Sequence, residues 1–112
     1  MYFYSKLFVG KSIRNPELVR FRLRHGIGQP RIYVLILNTQ EDIAHPVEIM
    51  HSAFLKQPYY RENPPCILGI AHGKAEALEM LRILAENTFR STGGFDIRGY
   101  LFPHGIRRTK GA

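Results

Sequence analysis

Two short runs in this chain, Ile32 to Leu37 (IYVLIL) and Cys66 to Ala71 (CILGIA), are apolar throughout. A strand with one wet face alternates apolar and polar residues, so a run without that alternation belongs inside a sheet and must be covered on both sides. A chain of 112 residues has room for one core, and a sheet with covering helices is the plan that buries two such strands.

The segments between these runs supply the rest. Tyr2 to Val9 alternates loosely and is rich in aromatic residues, which predicts a strand. Asn15-Pro16-Glu17 reads as a helix start: Asn caps, Pro suits the first helical position, and Glu meets the positive end of the dipole. Arg22, Arg24 and His25 then fill a last turn, and Gly26 stops it. Val19 to Arg24 also alternates with period two, so a strand competes here, with Gly26 to Pro30 as a hairpin connection. The matched start and stop signals favour the helix.

Pro46 begins a further expected helix, with Val47, Met50 and Phe54 on one stripe and Glu48, Ser52 and Lys56 on another, ending by Gln57. Tyr59 to Pro65 reads as a loop. Lys74 to about Ser91 is the longest expected helix, Gly93-Gly94 ends it, and Phe95 to Phe102 alternates as an outer strand does. The expected order is β-α-β-α-β-α-β: an α/β layer structure with a mainly parallel four-stranded sheet over residues 1–102, followed by a basic flexible tail at 103–112. A ferredoxin-like α+β plan with an extra helix is the alternative. Helices on one face alone would leave the other apolar face to a partner subunit, so a homo-dimer is a further expectation.

Charge is unevenly distributed. Residues 1 to 31 hold Lys6, Lys11, Arg14, Arg20, Arg22, Arg24 and Arg31 against Glu17 alone, and residues 98 to 112 hold Arg98, Arg107, Arg108 and Lys110 with no acid. The middle is mildly acidic, within a net charge of +7. Basic clusters of this kind attract polyanions, although a charged surface also serves solubility alone. Tyr59-Tyr60-Arg61 could stack on bases. No aromatic RNA-binding signature, Cys/His finger or clear helix-turn-helix accompanies these residues.

Motifs for chemistry are sparse. Gly10-Lys11-Ser12 follows a strand, but a phosphate-binding loop needs a glycine where Ser5 stands. Gly26-Ile27-Gly28 precedes a strand and has Arg31 at the third glycine position, which rejects the dinucleotide fingerprint. Glu48 and His51, with His45 ahead of them, have the spacing of a helical metal pair, but no second pair completes a centre. His51 reads better as a hydrogen-bonded histidine at the core margin, and no metal or cofactor is expected. Cys66 lies in an apolar strand where a thiol is inert, and as the single cysteine it forms no internal disulfide. His72-Gly73-Lys74, between an apolar strand and the longest helix, is the best candidate for an anion site at a helix N-terminus, with a structural turn as the plainer reading.

No apolar run approaches the roughly 18 residues of a membrane span, and MYFYSKLFVG does not read as a secretory signal, so no membrane association and a cytoplasmic location are expected. The functional expectation is a non-enzymatic module that binds nucleic acid through phosphates, without strong sequence preference, using Arg20, Arg22, Arg24, Arg31, Arg107, Arg108 and Lys110. A protein-protein adaptor is the alternative, and a small enzyme or ligand-binding domain using His72, Gly73 and Lys74 is the second alternative.

Overall fold

In the computed structural model, which describes residues 2–38 and 46–103, the two apolar runs are the inner strands of a four-stranded sheet. Along the chain come β1 (Tyr2–Val9), α1 (Pro16–Arg24), β2 (Ile32–Leu37), β3 (Val47–His51), a 3-10 turn (Ser52–Lys56), α2 (Pro58–Glu62), β4 (Cys66–His72), α3 (Lys74–Thr92) and α4 (Ile97–Leu101). The strand order is β1-β4-β2-β3. Only β1 and β4 pair in parallel; β2 is antiparallel to both β4 and β3. The sheet is therefore mixed, which corrects the mainly parallel expectation.

That correction begins in one segment. Val47 to His51, expected in a helix, is a strand paired with β2 from Leu37↔Val47 to Tyr33↔His51. The apolar spacing of Val47, Met50 and Phe54 suited a helix, but Val47 and Ile49 pack on one sheet face while Met50 packs on the other. Alternation outweighs the helical stripe because it joins two existing cores. Phe54, the third residue of the supposed stripe, is 52% exposed.

Two further segments differ from expectation. Residues 59 to 62, expected in a loop, belong to α2, which Pro58 opens at its first turn. Residues 95 to 102, expected as an outer strand, contain α4: the Asp96 carboxylate accepts from the Gly99 amide at 3.1 Å and caps it. Ile97 and Leu101, two turns of an alternation, are also four apart, and the helix turns both onto the core.

The helix reading of 16–24 holds. Asn15 Oδ1 accepts from the Leu18 amide at 3.1 Å, Pro16 takes the first turn, and Val19 and Leu23 are buried.

Both sheet faces are covered. Phe3, Val34, Ile36, Ile67 and Ile70 meet Val19 and Leu23 of α1 and Leu55 of the 3-10 turn on one side. Leu35, Leu37, Cys66 and Leu68 meet Leu84 of α3 and Leu101 of α4 on the other. Among the described residues no apolar sheet face is left bare, so the burial argument for a dimer does not apply. No helix among the described residues is long and apolar enough to cross a membrane.

Candidate nucleic-acid interface

Strands β1, β3 and β4 run in one direction, so their C-terminal ends and the start of β2 share one end of the sheet. The connections there carry Lys11, Arg14, Arg31, Lys56, His72 and Lys74, all exposed. On the exposed face of α3 the acids are paired: Arg82 pairs with Glu79 at 2.5 Å and with Glu86 at 2.7 Å, and Arg90 pairs with Glu86 at 3.3 Å. The face of α3 thus carries compensated charge, while at this end of the sheet the described cations outnumber the Glu76 carboxylate.

The excess concentrates in a half-open recess of about 320 Å³ between the last turn of α1 and the segment from the 3-10 turn to α2. Arg22, Arg24, Lys56 and Arg61 line it, no carboxylate among the described residues does, and Leu23, Ile27 and Leu55 supply apolar wall. None of these four cations takes part in an ion pair among the described residues. Arg20, by contrast, is held: its guanidinium lies 3.3 Å from Glu17 and 5.0 Å from the centre of the Phe3 ring. Arg24 stacks on the same ring at 5.0 Å. Phe3 therefore aligns two arginines one helical turn apart, through the ring's negative face.

The sequence-selected arginines are thus sorted by the fold. Arg22 and Arg24 meet in the recess, Arg20 is tied to Glu17 and Phe3, and Arg31 sits at the turn before β2, where its carbonyl accepts from the Gly73 amide at 2.8 Å. Arg107, Arg108 and Lys110 lie outside the described residues. Lys56 was not expected in the site, and Arg61 was expected only beside Tyr59 and Tyr60, as a group that stacks on bases. The signal that could have found them is a strand at Val47 to His51, which returns the chain beside the start of β2 and so beside the end of α1.

At the His72-Gly73-Lys74 corner the chain supplies its own anion. The Glu76 carboxylate accepts from the His72 amide at 2.9 Å through one oxygen and from the Ser12 amide at 3.0 Å through the other. A Glu three positions after the helix-capping residue, here Gly73, is the arrangement that reaches back to free amides, and this spacing was visible in the sequence. A methyl group on Gly10 would come within 1.8 Å of Glu76 Oε1, so a side chain there would displace that carboxylate. Gly73 itself has φ of +92°, a conformation that side-chain-bearing residues rarely adopt. An external anion at this corner would share the positive end of α3 with Glu76.

Burial disfavours the Glu76 carboxylate, but the amide of His72 and the hydroxyl and amide of Ser12 outweigh it and hold the group below the usual carboxylate range. A lowered folded pKa contributes stability above the unfolded value, lost as pH falls through the folded one. We expect Glu76→Gln to lower the urea midpoint at about pH 7, with the gap to the parent closing toward about pH 3. A gap of constant size across that range would contradict this role.

The metal-pair residues are separated. On a strand, positions three apart face opposite sides: Glu48 accepts from Asn38 Nδ2 at 3.0 Å, while His51 Nε2 lies 2.7 Å from the Pro30 carbonyl and its Nδ1 accepts from the Ala53 amide at 3.1 Å. Both ring nitrogens are engaged within the chain. Cys66 is buried, and burial pushes its thiol up to about 11. We expect the native protein to resist a thiol-labelling reagent that modifies the urea-unfolded chain quickly; equal rates would contradict burial of this sulfur.

The fold and the recess define a class, a three-layer α/β domain with a cationic end. No protein-family model matches the chain, and no curated protein or solved structure shows significant similarity to it.

Proposed function

We propose that this chain is a binding module for nucleic acid, holding phosphates without strong sequence preference. The observation that carries the reading is the recess lined by Arg22, Arg24, Lys56 and Arg61, with no carboxylate of the described residues in its wall. Four cations kept close together repel one another, and a phosphate backbone relieves that repulsion while releasing its own counterions. Arg31, Lys74 and the tail residues Arg107, Arg108 and Lys110 extend the contact in the same reading. A single buried thiol fits a reducing compartment, and a cytoplasmic location belongs to this proposal.

The test is binding of labelled single strands and duplexes of unrelated sequence at about 50 mM salt. Binding that weakens when Arg22 and Lys56 are both changed to Gln supports the reading; no binding to either form rejects it.

An adaptor role is the second reading, favoured by Phe89 and Phe95, stacked at 5.2 Å between ring centres while 50% and 70% exposed. Phe95→Ser would impair a protein partner's docking there and leave nucleic-acid affinity unchanged.

A further inference from the structure

We propose that the recess between α1 and the 3-10 turn accepts the base of one unpaired nucleotide against its apolar wall, with the phosphates of that nucleotide and of its neighbours in the strand on the surrounding cations. The inference rests on the nucleic-acid reading and adds strand selectivity to it. A purely electrostatic surface needs only exposed cations. This one also has an apolar interior: Leu23 and Leu55 are 7% and 9% exposed, and Ile27 stands 47% exposed beside them. The volume of about 320 Å³ lies at the small end of ligand sites, the scale of one flat ring with its sugar and not of a helix groove.

Two glycines leave this space open. Gly26 and Gly28 flank Ile27 in the wall, and a methyl group built on either meets nothing within 4 Å. Gly26, at φ of +65°, serves the backbone, whereas Gly28 has no positive φ that would require glycine. The bare wall at Gly28 therefore follows from no local strain, and it leaves room for a guest.

A duplex offers phosphates to such a site but keeps its bases stacked and paired. An unpaired nucleotide offers both the phosphate and a flat apolar face. The chemistry selects single strands over duplexes, with any base accepted because every base has such a face.

The experiment is fluorescence anisotropy at one salt concentration with three probes of about twelve nucleotides: a single strand, its duplex, and a single strand of abasic sugar phosphate. The single strand is expected to bind about tenfold more tightly than either other probe. Gly28→Leu, which adds bulk to the wall without changing charge, and Ile27→Gln, which makes the wall polar, should each abolish that advantage. Urea midpoints close to the parent's are the check that the variants fold. Equal affinity for all three probes overturns the inference while the phosphate reading stands. A single-strand advantage that survives both substitutions also overturns it, since the recess is then not its seat. No binding to any probe removes both.

Discussion

Raising salt from about 50 to about 200 mM weakens single-strand binding by roughly 50-fold, if the four cations of the recess each neutralise one phosphate at about 0.7 in the logarithmic slope. The recess's share of the slope on a single strand is therefore about −3, to which Arg31, Lys74 and the tail residues would add. Changing Arg22 and Lys56 to Gln should bring it to about −1.5, because two contacts are gone. Arg20→Gln should hardly alter it, since that guanidinium is already occupied by Glu17 and Phe3. Equal flattening by Arg20→Gln and by Arg22→Gln would mean that the charges act as a diffuse cloud, and the assignment to the recess would then be wrong. An adaptor that docks through the exposed Phe89 and Phe95 pair has no reason to show this steep dependence.

Replacing Phe3 by Ala is expected to cost about 3 to 5 kcal/mol, a large part of the roughly 5 to 15 kcal/mol that holds a small domain. Phe3 is 8% exposed, sits in the core between the sheet and α1, and carries the guanidiniums of Arg20 and Arg24 on its ring. Its loss leaves a cavity and releases both arginines. A urea titration should show the midpoint fall with little change in slope. Phe3→Leu separates the two roles: it keeps most of the apolar volume and loses only the ring, so it should destabilise less while still loosening Arg24 at the recess. If Phe3→Ala costs under about 1 kcal/mol, the ring does not support the core and the two arginines.

How far the sequence disclosed this molecule differs from one segment to the next. IYVLIL and CILGIA identified the inner strands because an apolar run of that length has few other uses, and Asn15-Pro16 and Gly73 to Gly93 bracketed α1 and α3 through capping chemistry. Val47 to Gln57 and Phe95 to Phe102 misled because each segment is short and fits two periods equally well. Ile97 and Leu101 satisfy both an alternation and a helical turn, and only Asp96, which can cap, distinguished them. The misread segment at Val47 had two further effects: it made the sheet look parallel and it placed Lys56 on a remote helix face. Half of the recess was thus legible, in Arg22 and Arg24, and the other half depended on a strand pairing that local pattern does not encode. The Glu76 contact was available in the spacing after Gly73 but competes with the equally ordinary reading of an exposed helical glutamate.

The pairing of the first strand with the last has a consequence for the order in which the protein assembles. The hairpin of β2 and β3 joins close neighbours in sequence, whereas Tyr2 finds its partner only at Cys66. Loop closure across that span is entropically costly, and pairings of this kind slow folding. During synthesis β1 must wait on the ribosome for β4 to emerge, with its Tyr2, Phe3 and Tyr4 unsheltered. The Phe3 ring that supports Arg20 and Arg24 reaches its place only then, so the cationic cluster forms at the end of folding, and a truncated chain lacking β4 should carry the same charges yet never present them together.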